Sequence, residues 1–151
     1  MKHTTVCYIE DNDRYLMIHR VKKQNDANHD KWIGIGGKLE PGESPEECVI
    51  REVAEETGLI IQPRYRGFIT FVSNEFGTEY MHLFTAESDS NAPLPECDEG
   101  VLEWIKKSDL KRIPMWEGDK IFLDLLDNED RIFFLKLVYQ GDTLISHKLS
   151  F

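Results

Sequence analysis

Cysteine is scarce in this chain, and positive charge is in deficit. The three cysteines, Cys7, Cys48 and Cys97, stand far apart and form no Cys-x-x-Cys pair. An odd, widely spaced set argues against a disulfide framework or zinc knuckle and fits a reducing compartment. Lys and Arg number 18 against 28 Asp and Glu, a net charge of −10. Nucleic-acid polymers are held by cations that neutralise phosphates, so this chain should repel them. A phosphorylated ligand would need a local basic patch or bound cations. No apolar run reaches the roughly 20 residues of a membrane span. Met1-Lys2-His3-Thr4 leads straight into a strand-like pattern, with no signal peptide in view. The expected location is the cytoplasm, with no membrane partner and no oligomeric state assigned.

What is present suits one compact unit. A length of 151 residues favours a single domain over 1–151, and 40% apolar residues suffice for a core without staples. Thr4 to Ile9 and Tyr15 to Arg20 read as strands around an Asp11-Asn12-Asp13 turn. Val21 to Lys31 is a polar loop, and Trp32 to Leu39 is apolar with three glycines. Ser44 to Thr57 reads as a helix. Leu59 to Val72 and Thr78 to Glu87 read as strands joined near Asn74 to Gly77. Ser88 to Glu99 is a loop, and Val101 to Ile105 is strand-like. Glu117 to Leu126 carries Ile121, Phe122, Leu125 and Leu126 at helical spacing. Ile132 to Tyr139 and Thr143 to Leu149 suggest a hairpin about Gln140-Gly141-Asp142. Strands and helices in this order predict an α/β fold, a mixed sheet with helices on its faces.

The stretch 36–59 reads GGKLEPGESPEECVIREVAEETGL. Its helix has an N-cap at Ser44, Pro45 at the first helical position, Glu47 to complete a capping box, and Gly58 as a left-handed stop. Glu52, Glu55 and Glu56, spaced i, i+3, i+4, share an arc of about 100°. Val49, Val53 and Ala54 lie on another side, available for a core. Three clustered carboxylates repel one another, and a hard divalent cation would reverse that sign. A plain solvated acidic face is the competing explanation for the same spacing. The glycine-rich turn Gly34-Ile35-Gly36-Gly37 just ahead favours the metal, because small residues let backbone groups approach an ion or phosphate closely.

The segment resembles the Nudix box at every specified position. Gly37 is followed by five residues and Glu43. Seven more lead to Arg51-Glu52, then Val53, Glu55-Glu56, Gly58 and Leu59. The resemblance implies an α/β/α sandwich and a magnesium-dependent hydrolase, with manganese as a possible substitute. It implies that Glu52, Glu55 and Glu56 hold the metal with a main-chain carbonyl at Gly36 or Gly37. Arg51 and Glu43 would be a supporting ion pair, and Glu52 or Glu55 the general base. Metal ions would also let an acidic protein take a phosphorylated substrate.

Beyond the box the likeness is looser and points to the mutator-type (MutT-like) enzymes that act on oxidised nucleotides. Asp30 to Lys38 is similar to their loop ahead of the box, which brings Ile33 and Lys38 to the substrate. Pro114 to Asp119 is similar to their base-pocket segment, with Trp116 packing on a purine and Asp119 bonding its edge. Glu99 matches a glutamate that approaches the metal in several members. Each has a plainer alternative: Trp116 as core, Asp119 as a first-turn acid on a helix dipole, Glu99 as an ordinary surface acid, and Trp32 as loop packing. Two positions depart from the oxidised-guanine pattern, Ile33 in place of asparagine and Gly118-Asp119 in place of paired aspartates. The leading expectation is hydrolysis of oxidised purine dNTPs such as 8-oxo-dGTP to monophosphate and pyrophosphate. A hydrolase of another nucleoside diphosphate-linked compound and a non-catalytic nucleotide sensor are the competitors.

Overall fold

The computed structural model describes residues 2–22, 27–88, 91 and 93–151. One mixed sheet organises it. Its strands are β1 (Lys2–Asp11), β2 (Arg14–His19), β3 (Trp32–Ile33), β4 (Ile35–Lys38), β5 (Arg64–Ser73), β6 (Gly77–Glu87), β7 (Val101–Lys106), β8 (Phe133–Gln140) and β9 (Thr143–Ser150). The main path runs β3-β2-β1-β6-β5-β8-β9, with β4 on β1 and β7 on β2. Pairs β1–β6 and β5–β8 are parallel, and the others antiparallel. Along one edge β1 changes partner, facing β4 over Thr4 to Cys7 and β2 over Ile9 to Asp11.

Helix α1 (Pro45–Thr57) covers one face and α2 (Glu117–Asn128) the other, giving the expected α/β/α arrangement. Side chains alternate across a strand, so β1 feeds both cores. Cys7 and Ile9 meet Val49 and Val53 of α1, while Val6 and Tyr8 join the cluster holding Phe122 and Leu126 of α2. The caps of α1 are as the sequence predicts: Ser44 and Glu47 form the capping box, and Gly58 is left-handed with φ 76°. Cys48 and Thr57 are buried as well, and Ala54 only half-buried.

Three readings are corrected. The apolar, glycine-rich stretch 32–39, to which no element was assigned, is two short strands, and Gly36 lets β4 lie against β1. A Cβ on Gly36 would fall 1.9 Å from the Thr5 carbonyl oxygen. The strand expected from Leu59 begins only at Arg64, after Pro63, which has no N–H for a ladder. A single 3₁₀ segment, Lys107–Arg112, follows β7 where no element was expected. Parts of the loops at 21–31 and 88–99 lie outside the described residues.

One irregularity fixes α2. The register of β5 against β6 shifts between Tyr65 and Gly67, leaving Arg66 as the extra residue. Such a bulge re-aims a side chain. The buried Arg66 guanidinium donates to the carbonyls of Leu126 (3.1 Å) and Glu129 (2.8 Å). A cation there satisfies the carbonyl end of the helix, whose other end carries Asp119.

Candidate active site

Helix α1 and the β4 turn are locked together by Arg51. Its Nε and Nη2 donate to both carboxylate oxygens of Glu43, at 2.7 and 2.9 Å. Nη2 also reaches the Lys38 carbonyl at 3.3 Å, and Nη1 donates to Glu52 (2.9 Å) and Glu55 (3.3 Å). This charge-assisted fork holds Glu43 well below the usual carboxylate range, at about 2. Arg51 is raised in turn, chiefly by Glu43.

The glutamates around it differ. Glu52 faces Gly37 and is pushed up by burial against the opposing pull of Arg51. Glu56 is pushed up further, by burial first, then by Glu99 and Glu52. Its buried Oε2 has no hydrogen-bond partner among the described residues. Glu55 is the outer member, its side chain 60% exposed. Glu99 is brought to Glu56 from the segment before β7 and pairs with Arg20 at 3.2 Å.

A carboxylate with a buried, orphaned oxygen, facing two more carboxylates, is a donor set suited to a hard divalent cation. Among the described residues no three acidic, His or Cys side chains already close on one point. Glu52 and Glu55 turn toward Arg51 instead.

A cavity of about 550 Å³ extends from this cluster to the N-terminus of α2. Glu52, Glu99, Gly36, Gly37 and Lys38 line its acidic end, and Ile33 its flank. Trp116, Asp119, Phe71, Phe122 and Met81 line the other end. Glu55 and Glu56 are not part of its lining. Residues from both ends of the chain thus share one space.

Trp116 is wall and core at once. It is 4% exposed, its edge packs on Phe71 and Tyr139, Lys31 Nζ sits 4.3 Å from its ring, and its indole N–H donates to Asn28 Oδ1 at 2.7 Å. Asp119 is 6% exposed, and its carboxyl has no hydrogen bond to any described residue. Burial and then the charge of Glu79 push it up to about 8, with Lys31 opposing. Trp32 stacks on His19 at 4.5 Å, away from the cavity lining.

Gly118 accounts for one departure from the paired-aspartate pattern. A Cβ there would lie 2.5 Å from Leu137 and 2.7 Å from the Tyr139 hydroxyl, which accepts the Gly118 N–H. The position faces core, so the missing aspartate leaves no gap in the cavity.

Sequence reasoning missed Glu79, Asn28, Thr4, Tyr8 and Arg20, all of which line the cavity. For Glu79 a signal existed: it alternates with Met81 and Leu83, the inward face of β6, where a charged residue is out of place.

Comparison with known proteins agrees with this geometry. A model described as NUDIX domain matches residues 1–126. A Bacillus subtilis protein described as an uncharacterized Nudix hydrolase is 33% identical over 99% of this chain and 94% of its own length. A zebrafish (Danio rerio) oxidized purine nucleoside triphosphate hydrolase is 36% identical, over 79% of this chain and 77% of its own. The crystal structure of a mutator MutT protein from Bacillus halodurans superposes with a TM-score of 0.84 at 31% identity, covering 99% of this chain and 97% of that one.

Proposed function

The chain belongs to the Nudix family of hydrolases, and from that premise we propose that it is a magnesium-dependent pyrophosphohydrolase of purine nucleoside triphosphates, oxidised purine dNTPs first among them. The observation that carries this reading is the single cavity with carboxylates at one end and a buried, aromatic-walled carboxyl at the other. It has room for a base and a polyphosphate, with the base at Trp116 and Asp119 and the phosphates toward Glu52. The zebrafish relative's described activity supports the choice of substrate.

Glu52, Glu55, Glu56 and Glu99, with the carbonyls of Gly36 and Gly37, would hold the metal. Bound magnesium supplies charge neutralisation at the phosphates and a lowered pKa for water. Arg51 and Glu43 position the helix against the turn and keep Glu52 aimed at the cavity. Glu52 is assigned the water proton, since it faces the cavity while Glu55 faces solvent. Lys38 adds a cation on the lining at the phosphate end, and Ile33 an apolar edge to the base.

The test is a hydrolysis panel of canonical and oxidised dNTPs, ADP-ribose and dinucleoside polyphosphates, with magnesium, with manganese and in excess chelator. Metal-dependent release of monophosphate and pyrophosphate from a purine dNTP, with isotopically labelled water entering the pyrophosphate, is expected. Orthophosphate as first product, or full turnover in chelator, overturns the reading. Turnover of only ADP-ribose or a dinucleotide moves the substrate to another diphosphate-linked class.

A further inference from the structure

Glu79 enters the cavity from the sheet, opposite Asp119 on the first turn of α2. Resting on the reading of this cavity as a purine site, we propose that Glu79 is a specificity-determining residue. It forms a carboxyl pair with Asp119 that presents an acceptor beside a donor to the lactam edge of a base.

The two acids have different surroundings. Thr4 Oγ1 donates to Glu79 Oε2 at 2.7 Å, and Lys2 Nζ lies 3.2 Å from Oε1. Each contact takes up part of one oxygen, and a carboxylate offers about four acceptor sites, so acceptor capacity remains for a ligand. Asp119 has neither kind of partner. It is desolvated, it faces the negative charge of Glu79, and its midpoint is pushed up to about 8. The other titratable groups facing it are Lys31, whose charge opposes the rise, and Tyr8 and Tyr139 from β1 and β8. Both tyrosines are themselves pushed upward by burial and stay neutral. With its midpoint pushed up to about 8, the Asp119 carboxyl keeps its proton to higher pH than an ordinary aspartate, and its O–H is then a donor.

A guanine-type edge carries an N–H beside a carbonyl oxygen. The N–H donates to Glu79 and the carbonyl accepts from Asp119. An adenine edge carries the opposite order, an acceptor nitrogen beside an amino group, and meets a pair whose acceptor is held in place by Lys2 and Thr4. A site built to hydrogen-bond one edge rejects the analogue that leaves its groups unpaired.

The experiment measures kcat/KM for 8-oxo-dGTP, dGTP, dATP and dCTP from pH 6 to pH 9.5 in the wild-type, Glu79→Leu and Glu79→Gln proteins, with thermal melts to confirm folding. Glu79→Leu removes the acceptor, and the guanine-to-adenine ratio should fall by about tenfold or more. Glu79→Gln keeps an acceptor but removes the charge that raises Asp119, so the alkaline fall in guanine turnover should move to lower pH. An Asp119 carboxyl resonance in the ligand-free protein should titrate lower in the same variant. A purely structural tie between Lys2 and Glu79 would change stability alone. An unchanged ratio with an unmoved alkaline limb overturns the pair. Wild-type protein that turns over no purine triphosphate overturns the substrate reading itself, and the pair with it.

Discussion

Glu52 lays its carboxylate over Gly37 so closely that a Cβ on Gly37 would sit 2.5 Å from the carboxyl carbon and 2.6 Å from Oε1. The neighbour in the way is the flexible end of a side chain, so Gly37→Ala can be absorbed by swinging Glu52 aside. The fold should survive with a change in stability of about 0.5 kcal/mol or less. Turnover should fall about a hundredfold, because a shift of about 1 Å in a catalytic group is costly. Melting temperature and kcat measured together test this, and wild-type kcat would show the placement of Glu52 to be immaterial.

Glu56→Gln should separate charge from shape. It removes one of three repelling carboxylates in a buried site while keeping its size, so the metal-free protein should melt at the same temperature or higher. Magnesium should then raise the melting point less than in the wild type, and kcat should drop at least about tenfold, roughly 1.4 kcal/mol of barrier. Melts with magnesium and with chelator, beside kcat, give the answer. An equal magnesium shift in both proteins would mean that Glu56 does not face the ion.

Asp119 links stability to pH with a definite sign. Its midpoint rises from an ordinary 3.8 to about 8 on folding. Between those values the folded chain holds a proton that the unfolded chain has lost, so stability falls as pH rises across that window. Asp119→Asn should flatten this decline while leaving the limb below about pH 4 in place. Urea midpoints at pH 5, 6.5 and 8 show it directly. Parallel declines in both proteins would mean that Asp119 is ionised throughout.

Gly118→Asp would restore the paired aspartates of the oxidised-guanine pattern in sequence. In the fold it drives a carboxylate into Leu137 and the Tyr139 hydroxyl. Overpacking of this kind costs about 1–3 kcal/mol before any charge is buried. The variant should lose stability and gain no guanine preference. A stable variant with a higher ratio of 8-oxo-dGTP to dATP turnover would show that α2 can slide to admit the second acid.

Much of the acidic end was legible because its chemistry is local. Ser44, Glu47 and Gly58 bound one helix by short-range caps, and the i, i+3, i+4 spacing puts Glu52, Glu55 and Glu56 on one face whatever the rest of the chain does. Arg51 and Glu43 meet across eight residues of one turn and helix. The split of β3 from β4 was not legible, because it depends on how closely β4 can lie against β1.

The sequence by itself determined the helix α1, its caps, its row of glutamates and the family to which they belong. Hydrogen bonds that reach three or four residues along a chain are written in adjacent letters. Only the tertiary structure decided who meets whom across the cavity. The parallel pairing of β1 with β6 sets Thr4 within a hydrogen bond of Glu79, 75 residues away. The bulge at Arg66 holds α2 by its far end, and so brings Asp119 down beside them. The ionisation of Glu56 and Asp119 was decided there too, since desolvation and a facing charge exist only once distant strands have closed over the group.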